Sequence, residues 1–314
     1  MELIDPRVEM ITERDIYKRI ELAGRTCYKS EDKIKEDSAK KFVLAMIKSN
    51  HTAMLEHASL VFQVDSYFIW ETIKRCNRRY LNLTECYVPT GYNNQERRLL
   101  VSGNIRAINE SENPFLLQAM VNAGYGDAVY GDPTVEIDKE YDVVEVRVVN
   151  LIDLENIQRE EILNHYYPSF RCITDRAVTH EMVRHRPASF AQESQRYVNY
   201  EKKGGVEFIK PYWFDSASAS EKISFKFSLQ NSEGIYKELV EAGLKPQEAR
   251  GVLPNATKTE IVMTAPMYEW QHFINLRYFG TTGAPHPDMK NIASKIHDYL
   301  KEDEMVSKYG AIIL

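Results

Sequence analysis

The residues best placed to do chemistry lie in one run, Arg184-His185-Arg186-Pro187-Ala188-Ser189-Phe190-Ala191-Gln192-Glu193-Ser194-Gln195-Arg196-Tyr197. It gathers four cations or potential cations (Arg184, His185, Arg186, Arg196), four Ser or Gln side chains and one carboxylate around a proline. Arginine offers a planar fork of donors matched to a phosphate or a carbonyl edge. Ser and Gln both donate and accept, as reading a base edge requires. The chemistry these residue types suit is the holding of anions and of a planar polar ring. Residues 174–183 read as a helix that Pro187 ends by removing a donor and crowding the preceding turn. Arg184, His185 and Arg186 are then expected in its last turn, where the helix dipole favours positive charge. Three basic residues alone would read as a solvated helix end. The directional groups after the proline are more than such an end needs.

The spacing of the run, Arg-His-Arg, seven residues, Ser, then Arg-Tyr, resembles the signature of the flavin-dependent thymidylate synthases. Two other stretches resemble the same family. One is Leu55-Glu56-His57-Ala58-Ser59, at the entrance to an apolar strand. The other is Glu248-Ala249-Arg250-Gly251-Val252-Leu253-Pro254 with His272-Phe273-Ile274-Asn275-Leu276-Arg277 downstream, which sets Arg250 and Arg277 27 residues apart. The resemblance covers roughly residues 10–65 and 168–300. The chain departs from the pattern at Ala191-Gln192-Glu193, where the family has Asn-Glu before the serine, and at Pro266, Met267 and Tyr268, where it often has polar flavin-binding residues. About a hundred residues also separate the His57 strand from the motif helix, where the family has a short connection.

The resemblance implies reductive methylation of dUMP to dTMP. 5,10-Methylenetetrahydrofolate would supply the carbon, and NADPH would reduce a bound FAD. It implies that Arg277 polarises the uracil ring as the catalytic group. Glu181, Arg184, Gln192, Glu193, Ser194, Gln195, Arg196, Arg250 and Arg277 would bind dUMP. His57, Ser59, Arg184, His185, Arg186, Pro187, Gln192, Tyr268 and His272 would hold FAD. A homotetramer with active sites shared between subunits is expected. The residues themselves agree with the chemistry. Uracil is a poor nucleophile at C5, so an enzyme either adds a thiolate at C6 or polarises the ring. None of the four cysteines has an activating partner nearby in sequence, whereas arginines are plentiful in the motifs. No Gly-x-Ser-x-Gly elbow surrounds Ser194, which is therefore expected to position substrate rather than attack it.

The elements that must position these groups follow from periodicity. Residues 13–24, 36–49 and 67–79 have helical apolar spacing, with the strand 59–64 between them. From 82 to about 140 the chain turns polar and is punctuated by Gly and Pro, enclosing a strand near 99–105 and a short helix near 114–121. Residues 82–145 are accordingly taken as an insertion or subdomain within a single domain, 1–314. Strands are expected at 143–149, 170–173 and 206–209. A long helix over 220–242 is closed by Gly243, and a C-terminal helix spans 287–301. Gly124, Gly126 and Gly131 miss the dinucleotide fingerprint and read as a turn. No repeat of 20–50 residues is evident. The expected fold is α/β of the α+β type, with a central, mostly antiparallel twisted sheet flanked by helices and a large insertion.

Composition limits the alternatives. The 314-residue chain carries a net charge of −6, which gives no bulk basic field for nucleic acid, so any anion site is local. A nucleic-acid-binding or RNA-modifying protein is the rival reading, with residues 74–79 (KRCNRR) and the motif cations as a phosphate track and Tyr80, Phe190 and Tyr197 for stacking. The first fifteen residues hold five acidic side chains and no apolar stretch, and nowhere is an apolar run long enough to span a bilayer. A cytoplasmic protein without membrane contact is expected. Cys27, Cys76, Cys86 and Cys172 have no zinc-type spacing. His180 and His185 are five apart, about 140° around a helix, so no shared metal is expected.

Overall fold

The computed structural model describes residues 1–77, 79–91, 94–130, 145–154, 157, 159–200 and 204–309. Arg78, Gly131, the 131–144 part of the expected insertion and the start of the strand expected at 143–149 lie outside the described residues. Two short strands, β1 (Glu2–Ile4) and β2 (Arg7–Met10), open the chain. Helix α1 (Ile16–Tyr28) begins where the Asp15 side chain accepts from the amides of Tyr17 and Lys18, and it buries Ile16, Ile20 and Ala23 along one face. Helix α2 (Ser38–Lys48) packs on it through Phe42 and Val43. Next come β3 (Ser59–Val64), α3 (Tyr67–Arg75), β4 (Leu81–Gly91), β5 (Asn94–Asn104), α4 (Ile105–Glu110), α5 (Pro114–Asn122) and β6 (Val146–Val148). After α6 (Arg159–Leu163) the chain continues through β7 (Ser169–Asp175), α7 (Arg176–Met182), β8 (Ser189–Gln192), β9 (Glu207–Ile209) and α8 (Ala219–Glu241). It ends with α9 (Pro246–Ala249), β10 (Lys258–Thr264), α10 (Met267–Ile274), α11 (Pro287–Glu302) and α12 (Glu304–Tyr309).

The α+β class holds, but the strands do not form one central sheet. Among the described residues there are two four-stranded antiparallel sheets, ordered β4-β5-β3-β6 and β2-β7-β10-β8, and a parallel pair β1-β9. Two main cores result, and the second also takes Val61, Val88 and Leu100 from the first sheet. Phe62, Trp70, Ile73, Val101 and Ile108 fill the first; Phe170, Ile261, Met263, Trp270, Phe273 and Ile292 fill the second. The Trp270 indole meets Phe170 edge-on at 4.9 Å between ring centres and donates to the Pro168 carbonyl at 3.1 Å, so the second core buries no orphan donor there.

β1, β2, β4, β8 and β10 escape periodicity, and β5 extends the strand expected near 99–105. β4 and β5 form a long hairpin in the stretch expected to be mostly irregular, and β5 pairs directly with β3. β10 is fully buried yet reads Lys-Thr-Glu-Ile-Val-Met-Thr, with charges at positions that a buried strand normally excludes. Those charges are neutralised in place. Lys258 Nζ lies 2.5 Å from Glu260 and 3.4 Å from Glu193, while Lys29 and Arg171 also reach Glu260. Burial opposes ionisation of Glu260, but Lys258 and Lys29 outweigh it and hold the carboxyl down to about 2. No helix among the described residues is long and apolar enough to cross a membrane.

The α1–α2 contact depends on Gly24, where a Cβ would lie 2.3 Å from Cζ of Phe42. Gly24→Ala should therefore overpack this contact by roughly 1–3 kcal/mol and lower the melting temperature. Phe42→Leu in the same background should recover part of the loss. Thermal denaturation of the wild type, Gly24→Ala, Phe42→Leu and the double variant checks this, and strictly additive effects would contradict it.

Candidate functional site

β7 takes Thr174 and Asp175 into its pairing with β10, so the motif helix is shorter than periodicity implies. Asp175 ends the strand and caps α7 by accepting from the Val178 amide at 2.7 Å. The helix stops at Met182, so Arg184, His185 and Arg186 lie beyond it rather than in its last turn. Their chain stays wound through amide bonds from Arg184 to Glu181 and from His185 to Met182. The stretch after Pro187 is not wholly a loop either, because Ser189–Gln192 is the edge strand β8 on β10.

The turn delivers His185 to Arg277, which sits in a π-helical turn, Asn275–Phe279, following α10. Arg277 Nε donates to His185 Nε2 at 3.1 Å and Nη1 donates to Glu181 Oε2 at 2.7 Å. An Nε2 that accepts leaves the imidazole proton on Nδ1. Burial first, then the Arg277 charge and His272, push His185 down to about 4, so the acceptor form is the one present near neutrality. Phe273 braces the ring edge-on at 4.9 Å. Residue spacing missed Glu269, which is buried with Oε1 unpartnered. The signal was available as Glu-x-x-His along α10, an i, i+3 pair. Ligand atoms of His185, Glu269 and His272 lie within 4.8 Å of one another. A metal ion there would sit beside the Arg277 guanidinium, so the group suits hydrogen bonding better than cation binding.

The other expected residues distribute over three cavities. Arg186, Pro187 and Tyr268 line one of about 610 Å³, together with Arg106 and with Arg79 and Tyr80, which the rival reading of the sequence gave to a phosphate track and its stacking ring. Ser59 opens on a second, of about 630 Å³, beside Arg19 and Tyr166. Ser194 and Arg196 line a third, of about 540 Å³, with Cys27, Tyr28 and His51, and the Ser194 amide donates to the Cys27 carbonyl at 2.9 Å. His57 is buried, with Nδ1 2.9 Å from Thr264 Oγ1 and Nε2 unpartnered. Burial and then Arg19 hold it down to about 3. Gln192 Nε2 donates to Thr179 and Thr259 at 2.9 and 3.3 Å, and Glu193 is enclosed against Lys258. Gln195 is buried, Arg184 is exposed, and Arg250 opens the short turn after α9. One chain therefore unites Arg277, Glu181, His185 and His272, and keeps Ser59, Ser194 and Arg196 at separate openings. Burial pushes the Cys172 thiol up to about 12 and Cys86 up to about 11, and it raises Cys27 as well. None of these three is tuned toward a thiolate.

Fold and site together define an α+β protein in which a neutral imidazole and a carboxylate fix one arginine while further arginines line separate cavities, a set suited to an anionic ligand. Residues 9–114 and 126–303 match the family described as thymidylate synthase complementing protein, and the chain belongs to that family. It is similar to a flavin-dependent thymidylate synthase of Geobacter sulfurreducens, 40% identical over 104 residues that make up 32% of this chain and 43% of the relative. One from Pyrococcus furiosus is 36% identical over 122 residues, 38% of this chain and 49% of the relative. The chain thus matches about half the length of these curated relatives. Among solved structures, a UMP/dUMP methylase PolB from Streptomyces cacaoi, bound with 5-Br dUMP, aligns over 99% of this chain and 98% of its own at 14% identity, with a TM-score of 0.42.

The buried histidines make stability depend on acid. His57, His165 and His185 have folded values of about 3, 4 and 4 against an ordinary 6.5, so below 6.5 the unfolded chain binds protons that the folded one refuses. Stability should be fully present above about pH 6.5 and fall as pH drops toward 4, by up to about 1.4 kcal/mol per pH unit for each histidine. Melting temperatures across this range check it. His165→Gln should flatten the curve, and a wild-type profile without slope would contradict the assignment.

Proposed function

We propose that the protein is an FAD-dependent thymidylate synthase, converting dUMP to dTMP with 5,10-methylenetetrahydrofolate as carbon donor and NADPH as reductant, without a covalent cysteine. The observation that carries this reading is Arg277, whose guanidinium is fixed by Glu181 and by the neutral His185. A cation held in this way meets the charge that develops on the pyrimidine carbonyls as C5 becomes nucleophilic, with no reorganisation at that moment. Arg277 binds the O2/N3 edge of the ring. Arg184, Arg196 and Arg250 hold the nucleotide phosphate or ring, Ser194 positions it, and Glu181, Gln192, Glu193 and Gln195 shape the pocket.

The residues present fit a flavin. Arg186, Pro187 and Tyr268 share a cavity of suitable size, and Ser59 Oγ is buried without a hydrogen-bond partner beside the second cavity, while His57 is buried just before β3. His185 adjoins Arg186 in the chain, and His272 follows Tyr268 by one turn of α10. When bound, a reduced flavin would supply the hydride that converts the transferred one-carbon unit to a methyl group. The family belonging of the chain and the names of its relatives support this assignment, as does the lack of a tuned thiol among Cys27, Cys86 and Cys172. Ser194 and Arg196 line a cavity that Arg277 does not reach, which supports sites completed between subunits of a homotetramer. A cytoplasmic biosynthetic enzyme follows from the reading.

Incubation with dUMP, methylenetetrahydrofolate, NADPH and FAD should yield dTMP. Arg277→Ala should lower kcat by roughly 10²–10³-fold with a smaller change in KM, as expected for a group that acts on developing charge. A flavin-loaded wild-type protein that forms no dTMP would defeat the proposal.

A further inference from the structure

The two four-stranded sheets repeat one plan. Read from the opposite edge, the first is β6-β3-β5-β4, which corresponds strand for strand to β2-β7-β10-β8, and all neighbours are antiparallel. In each, an inner strand (β3 or β7) runs into a helix (α3 or α7), and the chain returns as the edge strand (β4 or β8). A third strand (β5 or β10) then fits between them and leads into another helix (α4 or α10). The registers agree. Ser59 faces Asn104 as Ser169 faces Thr264, and Phe62 lies between Val101 and Val148 as Cys172 lies between Ile261 and Val8. Ser59, Asp65 and Glu71 recur as Ser169, Asp175 and Glu181 at one constant offset.

Contacts between the halves are reciprocal as well. His57, just before β3, reaches Thr264 at the end of β10, while Tyr167, just before β7, meets Ser102 on β5 at 3.2 Å and accepts from Asn82 on β4 at 2.7 Å. This exchange is the pattern of a two-fold dimer.

The cavity of about 610 Å³ lies between the halves, and the equivalent residues Asn104 and Thr264 both line it. Arg79 enters from one half and Arg186 from the other. Each guanidinium rests on a neighbouring aromatic ring at 5.2 Å, Arg79 on Tyr80 and Arg186 on Phe190. Neither has a carboxylate partner among the described residues, whereas Arg106 in the same cavity is neutralised by Glu56 and Glu110 at 2.8 and 2.6 Å. Two unpaired arginines across one cavity suit two linked negative charges.

We infer that the chain is an internal pseudo-dimer, and that its N-terminal copy, with Lys74-Arg75-Cys76 in place of Arg184-His185-Arg186, has become the second wall of the flavin cavity, where Arg79 and Arg186 together grip the dinucleotide pyrophosphate. The assignment rests on the flavin reading above. The full-length protein is titrated with FAD by flavin fluorescence, with melting temperature recorded alongside. Arg79→Gln should weaken FAD binding about 10–100-fold at an unchanged melting temperature, and Arg79→Lys should recover part of the loss. Wild-type affinity in Arg79→Gln, or a loss that follows destabilisation, would overturn this inference while leaving the flavin reading intact. A wild-type protein that takes up no FAD would overturn both.

Discussion

The hydrogen bond from Arg277 Nε to His185 Nε2 joins the turn after α7 to the π-helical turn after α10, and it exists only while the imidazole is neutral. Protonation would set a second cation against the guanidinium in a buried place. Burial, the Arg277 charge and His272 all work to keep that from happening near neutral pH. The arrangement fixes Arg277 by polar contacts on one side, so its charge is presented in a set direction instead of being dissipated in solvent.

A second constraint holds the site from beneath. β10 lies between β7 and β8, and it carries Lys258 and Glu260 into the interior. Taking these charges out of water is costly, and removing one partner would leave the others uncompensated. Because Lys29 comes from the end of α1, Arg171 from β7 and Glu193 from just beyond β8, the cluster fixes the relative placement of these three elements around β10. Gln192 adds neutral hydrogen bonds to Thr179 on α7 and Thr259 on β10. The departure from the family pattern at this position thus has a local consequence, since an amide ties the motif strand to the motif helix where a carboxylate could not donate.

Local pattern made α1, α2, β3 and the long helix α8 legible, because Ile16, Ile20, Phe42 and the run Leu60–Val64 follow simple apolar spacing. β10 was hidden because its charges are satisfied by residues far away in sequence, which no local window contains. The start of the motif helix was misplaced because tertiary pairing claimed Thr174 and Asp175 for a strand. At the site, the motif spacing identified Arg277, Glu181 and His185 but not their mutual contact, which depends on the π-helical turn. It identified neither Glu269, whose importance comes from burial beside two histidines, nor Arg79, which becomes a cavity residue only when the two halves meet.

The most direct test of the central claim is a crystal structure with dUMP and FAD bound. The account predicts the Arg277 guanidinium within hydrogen-bond distance of a pyrimidine carbonyl, with Nε still on His185. A nucleotide bound elsewhere, with Arg277 left on Glu181 and His185 alone, would contradict it.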